Sequence, residues 1–447
     1  MRITIQSRPS IPGLIALCIT GLLILSACAS PPAPAAETAP TVSSSTAEVA
    51  GNVSFMVFGD PAELKAYQDL VATFEAKFPA IDMELIHIPS QSDYRKRLSA
   101  DFAAGIPSDV VLLNYRRFGP FAAKGALEPI GPYLQASEVI SQTDFYPEPM
   151  APYNWQGQQW CLPQNLSSLV VYYNKDLFDA AGLAYPDPDW TWSDFLATAQ
   201  ALTKDTDGDG TTDQYGLGTE TTFLRLAPFV WQNGGEIVDD PVNPTRLTLD
   251  SPAAVEAFTW FTDLQNKHHV VPSAVEEQAE DSESRFMNGR TAMYLNSRRV
   301  VPTFREITGF DWDVAALPQQ SQKANVLHAD AYCMAKATKD KDAAWKFIEF
   351  ANSVEGQTIV AASGRTVPSL KLVAESPAFL DPNTKPANSQ AWLDVVPFTR
   401  PMPVTANWID VEEIVDSEFD RAYYGSASID EAIKAAITRS ADLLAEQ

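Results

Sequence analysis

Four cysteines, four histidines and a shortage of basic side chains restrict what this 447-residue chain can do. His87, His268, His269 and His328 stand in no His-x-x-x-His or Cys-His spacing of the kind that zinc needs. There is no Gly-x-Ser-x-Gly elbow and no Gly-x-x-x-x-Gly-Lys loop to cradle a phosphate. Lys and Arg total 32 against 57 Asp and Glu, a net charge of −25. That balance argues against nucleic acid as a partner and against docking on anionic lipid through a basic face. Acids are plentiful, so composition alone leaves open a secreted glycosidase working through paired carboxylates.

The ends of the chain say more. Arg2 and Arg8 precede an apolar run at residues 11–25, shorter than the ~20 residues of a spanning helix, and no later run is apolar enough to span. The order is that of a secretory leader, and Leu25-Ser26-Ala27-Cys28 resembles the bacterial lipobox. The resemblance implies a leader at 1–27, lipidation of Cys28 and attachment to the extracytoplasmic face of the cell membrane. Residues 28–52 are rich in Pro, Ala, Ser and Thr, without apolar periodicity, and read as a lipidated, disordered tether. Without Arg2 and Arg8 the net charge falls from −25 to −27, which suits a self-repelling monomer. Only Cys161 and Cys333 then remain, and the sequence leaves a disulfide and two free thiols equally open.

Residues 53–447 are too many for one small core and suit two lobes. A β-prone run at 53–58 stops at Gly59-Asp60-Pro61-Ala62-Glu63, where Asp60 as N-cap, Pro61 at the first helical position and Glu63 as capping-box acid open a helix. Leu64, Tyr67, Val71, Phe74 and Phe78 give it one buried stripe, and Pro79 ends it. Strands at 83–88 and 110–113 flank a helix at 94–104, a βαβ pattern whose ligands sit at the carboxyl ends of the strands. Thr191-Trp192-Ser193-Asp194 is a second capping box, opening a helix to Leu202; further helices are expected at 253–264, 343–351 and 429–444.

The segment Tyr172-Tyr173-Asn174-Lys175-Asp176-Leu177-Phe178, followed by Ala181-Gly182-Leu183 and Thr191-Trp192, resembles the signature of family 1 extracellular solute-binding proteins of ABC importers. Ala104-Gly105-Ile106-Pro107-Ser108-Asp109, Asn233-Gly234-Gly235, Phe286-Met287-Asn288-Gly289-Arg290 and Trp312-Asp313-Val314-Ala315 match in the right order. The resemblance implies an α/β fold of the type II periplasmic-binding-protein kind, two α/β lobes joined by crossover hinge segments, with the ligand between them. Lobe 1 is expected at 53–163 plus about 334–385 and lobe 2 at about 168–330 plus about 390–447. Crossovers are expected near 164–167, 332–335 and 379–392, which places Cys161 and Cys333 near the hinge and favours their disulfide. A non-catalytic receptor follows, closing on a mono- or oligosaccharide and docking on ABC permease transmembrane subunits. A receptor for an anionic or phosphorylated polyol is the alternative.

Sugars need flat aromatic platforms and groups that hydrogen-bond two hydroxyls at once. The ligand-binding set expected on this basis and on family placement is Asp60, Asn114, Tyr115, Ser167, Trp231, Arg298, Arg299, Asp330, Tyr332 and Trp408. Trp408 matches a stacking Trp of maltose-binding relatives. Other positions depart from them: Arg116 and Ser167 replace carboxylates, and Arg299 replaces a Trp. Two guanidiniums in the cleft would suit hydroxyls, a carboxylate or a phosphate, unless they pair with acids of their own lobe. Asp205, Asp207, Asp209, Thr211 and Asp213 resemble the start of a calcium loop, but Gly216 stands where the bidentate Glu belongs, so a structural calcium would need a ligand such as Glu220. No other cofactor is expected.

Overall fold

A computed structural model describes residues 49–446. The leader, Cys28 and most of the tether lie outside the described residues. The tether stops short of its expected end, because the first strand, β1 (Gly51–Phe58), already includes Gly51 and Asn52. They pair with Ile81 and Asp82 of β2 (Ile81–Ile88). Both strands run parallel, and β1 also pairs with β3 (Val110–Asn114). Residues 55–58 of β1 are buried on both faces, as expected of a strand covered by helices on each side.

Helix α1 (Pro61–Lys77) starts where the Asp60 carboxylate accepts the N–H groups of Ala62 and Glu63, both at 2.9 Å. The expected capping box does not close. Glu63 turns inward instead and pairs with Arg365, so an acid takes a place in the buried stripe beside Tyr67, Leu70, Val71 and Phe74. Helices α2 (Gln91–Ala104) and α3 (Tyr115–Ala123) follow β2 and β3. The sheet is completed by β4 (Leu127–Glu128) and β5 (Cys161–Pro163).

A second, four-stranded sheet holds β6 (Val170–Asn174), β7 (Tyr215–Thr219), β8 (Thr291–Asn296) and β9 (Trp312–Ala315) in the order β7-β8-β6-β9. The chain then returns to the first sheet through β10 (Asp330–Ala335), antiparallel to β3, β4 and β5. A third passage to the second lobe falls within the expected 379–392, where Asn388 donates to Val314 O at 3.0 Å; the two crossings between the sheets run at 164–169 and 316–329. They lie side by side, with Ser167 N–H donating to His328 O at 2.7 Å and His328 N–H to Ser167 O at 2.8 Å. The second crossing is upstream of its expected place, since Tyr332 and Cys333 are inside β10, held by a full strand register.

Cys161 faces Cys333 across the β5 and β10 pair, Cα atoms 4.5 Å apart, and the two are bonded. Helix α4 (Trp408–Tyr423) packs on the second lobe's helices Phe223–Gln232 and Pro252–Asn266 and touches α3. A Cβ at Gly119 of α3 would lie 2.4 Å from Thr405 O, so only glycine permits this approach. Among the described residues no helix is long and apolar enough to cross a membrane.

Candidate functional site

At the carboxyl ends of β1 and β3, beside the paired crossings, lies a cavity of about 350 Å³. Phe58, Glu63, Asn114, Arg116, Asp330 and Arg365 come from the first lobe, Glu220, Arg225, Arg299 and Glu412 from the second, and Asn165, Ser167 and His328 from the crossings. Several of its charged groups are held in pairs. Glu220 receives Arg225 at 2.7 Å and Arg299 at 2.6 Å, and Arg299 also meets Glu283 at 3.0 Å. Arg116 of α3 pairs with Glu412 of α4, both nearly buried. Arg365 donates to Asp60 at 3.0 Å and lies 2.7 Å from Glu63. Its Nη1 also donates to Arg299 O at 3.2 Å, a bond between the lobes.

Burial sets the protonation of these groups. It pushes the Glu63 carboxyl up to about 8, against the attraction of Arg365 and with the help of Asp60 and Asp330. Asp330 is raised by burial too, although Asn114 donates to it at 3.2 Å. Glu220 goes the other way: burial opposes its charge, but Arg225 and Arg299 outweigh burial and hold it below the usual carboxylate range. His328 is driven well below its ordinary value by burial and by Arg225, Arg116 and Arg299, so it is a neutral ring. A neutral acid, a neutral imidazole and fixed guanidiniums offer both donors and acceptors to a polar solute.

Asn114, Ser167, Arg299 and Asp330 of the expected set line the cavity. Asp60 stands behind it, capping α1 and holding Arg365. The other five require correction, because each is spent on packing. Tyr115 is fully buried; its hydroxyl donates to Leu327 O and accepts from Met402 N–H, both at 3.0 Å. Trp231 is buried beneath the Arg400 guanidinium, 4.7 Å from its ring. Arg298 lies in the core against Phe379 and Trp392, at 4.4 and 4.6 Å, and pairs with no acid among the described residues. Tyr332 packs on Phe55. Trp408 is 0 % exposed, donating to Glu412 at 2.7 Å. Arg299 lines the cavity while paired with acids of its own lobe.

Glu63, Arg225, Glu412 and Arg365 were not expected in the site. Glu63 carries the pattern of a helix cap, and Arg225 sits in an apolar helix whose every residue is buried. Only Arg365, beside Gly364 in a turn, carries a weak sequence signal. In the acidic turn, carboxylate atoms of Asp205, Asp207 and Asp209 lie within 4.8 Å of one another. Asp213 is instead bound to Thr206, and Thr211 gives its N–H to Asp209. Glu220, the acid that could have completed a calcium shell, is engaged in the cleft. The turn thus supplies three clustered carboxylates that could hold a cation, with Gly216 where the bidentate acid of a calcium loop belongs.

Residues 59–358 match the family described as bacterial extracellular solute-binding protein. The chain belongs to that family. An ABC substrate-binding protein of Listeria monocytogenes, solved in complex with cycloalternan, superposes with a TM-score of 0.81 at 27% identity, covering 89% of this chain and 99% of that one. The sn-glycerol-3-phosphate-binding periplasmic protein of Escherichia coli is 25% identical over 85% of this chain and 89% of its own. A maltotriose-binding protein of Pyrococcus abyssi is 23% identical over 65% of this chain and 60% of its own. The family's members are solute-binding proteins, and the fold is shared with the Listeria monocytogenes structure over 89% of this chain.

Proposed function

We propose that this chain is the solute receptor of an ABC importer and that its interlobe cleft takes a carbohydrate. The observation that carries the reading is the cavity lining: carboxylates, guanidiniums, amides and hydroxyls from the lobes and crossings, several preset in acid–guanidinium pairs suited to hydrogen-bonding adjacent hydroxyls. The relative solved with cycloalternan supports the same ligand class. A phosphorylated or anionic polyol is the second reading. It is favoured by the six guanidiniums on the lining, Arg95, Arg116, Arg117, Arg225, Arg299 and Arg365, and by the scarcity of aromatic platforms, Phe58 being the aromatic ring there. The relative that binds sn-glycerol 3-phosphate points the same way.

Titration calorimetry with cycloalternan, maltose, maltotriose and sn-glycerol 3-phosphate separates the two. Saturable heat with a neutral sugar supports the first reading, and heat with the phosphate alone replaces it by the second. Solute recovered unchanged after incubation supports a receptor, whereas released product would make the chain an enzyme. Attachment through a lipid on Cys28 and docking of the monomer on permease subunits complete the proposal. Incorporation of labelled palmitate that is lost in Cys28→Ala tests the first of these.

A further inference from the structure

Between α2 and α3 the cleft continues into a second cavity of about 530 Å³. Part of its wall is apolar, Leu98 and Phe102 of α2, Leu112 of β3 and Phe121 of α3, with the Phe102 and Phe121 ring centres 4.8 Å apart, and the rest is polar, including Ser99, Lys124 and Asp410. Phe58, Asn114, Arg95, Arg117 and Asp330 line both cavities, together with Gln91 and Ile409. Among the described residues, neither Arg95 nor Arg117 forms an ion pair. Arg95 donates to Gln91 Oε1 at 2.7 Å, and the buried Nε of Arg117 has no hydrogen-bond partner. Burial, then Arg117 and Arg116, push the Arg95 guanidinium down to about 10. The two guanidiniums stand beside Leu98, Phe102 and Phe121 without a direct ion pair among the described residues; the acids on the lining are Asp330, raised by burial, and Asp410, while Glu412 and Glu413 act on them without a salt bridge.

We propose that this groove is a subsite of the cleft that takes an anionic group borne on an apolar body, the anion between Arg95 and Arg117 and the apolar part against Leu98, Phe102 and Phe121. The class is an aryl or alkyl carboxylate, sulfonate or phosphate ester. The proposal rests on the reading of the adjoining cleft as a solute site, and it adds an acidic, apolar substituent to the solute. Shape and charge are complementary to such a group: apolar burial supplies affinity, and two planar guanidiniums supply preference for an anion.

The probe is 1-anilinonaphthalene-8-sulfonate, with the neutral N-phenyl-1-naphthylamine as its uncharged twin, both followed by fluorescence titration of the whole protein. The sulfonate is expected to bind saturably at one site per chain. Arg95→Gln and Arg117→Gln are each expected to weaken it by about tenfold while leaving the neutral twin's affinity unchanged. Ser99→Trp, on the exposed wall of the groove, is expected to abolish binding of both dyes, with an unchanged thermal unfolding curve showing that it folds. Unsaturable sulfonate binding, or binding indifferent to all three substitutions, overturns the subsite. If the dye pattern holds while no sugar or sugar phosphate binds, the carbohydrate reading falls and the groove stands. Sugar binding with charge-indifferent dye binding has the reverse meaning.

Discussion

Glu63 shows how a single side chain links burial to behaviour. Its carboxyl titrates near 8 in the folded chain because it is buried, and near its ordinary 4.5 once exposed. The folded state therefore holds a proton that the unfolded chain has released, and stability falls as pH rises from about 4.5 to 8, by at most ~1.4 kcal/mol per pH unit. Glu63→Gln removes that dependence. Melting temperatures of the two proteins, compared from pH 5 to 8, should diverge in the variant's favour toward alkaline pH; parallel curves would remove the buried neutral acid. Trp408 makes a second case. It is buried and donates to Glu412, so Trp408→Ala is expected to cost about 3–5 kcal/mol of stability in urea unfolding. If the substitution lowered solute affinity without shifting the urea midpoint, Trp408 would belong to the site after all.

Elements were readable where their causes are local. Asp60 with Pro61, and Thr191 with Asp194, cap their helices within four residues, and both helices start there. The crossing expected near 332–335 falls inside a strand, because nothing in Asp-Ala-Tyr-Cys-Met-Ala says which sheet will accept it. That is decided by β3, more than 200 residues away, as in the Asn114 to Asp330 bond with a separation of 216. The cleft was legible only in part for the same reason. Arg116 finds Glu412 across 296 residues, and aromatic residues that could have stacked on a sugar were drawn into the core by their own apolar area. The disulfide joins β5 to β10 beside the paired crossings, closing 172 residues of chain that include the whole second sheet. Removing it by Cys161→Ala with Cys333→Ala is expected to lower stability by about 2–4 kcal/mol. The measurement is the denaturant midpoint with and without reductant. A midpoint equal to that of the oxidised wild type would mean that the strand register alone holds the hinge.

On the scale of the whole molecule, the crossings near Ser167 and His328 are thin compared with the two sheets they join, and any relative movement of the lobes is expected to turn on them. A solute can shift that movement only through contacts it makes better in one arrangement than in the other. The lining supplies them, with Asn114 and Asp330 on one lobe and Glu220 and Arg299 on the other. Arg365 adds a protein bond of the same kind, reaching from Asp60 and Glu63 to the Arg299 carbonyl. Arg365→Ala removes this tie and also leaves Asp60 and Glu63 without their cation. We expect solute affinity to fall by about 5- to 30-fold, the equivalent of one charge-assisted hydrogen bond or slightly more. The wild type is expected to show a smaller radius of gyration in X-ray scattering with solute, and the variant at saturation should do the same, because the remaining lining groups still bridge the lobes. Unchanged affinity would show that the bond to Arg299 contributes nothing to closure. Wild-type scattering indifferent to bound solute would show that the lobes do not close at all.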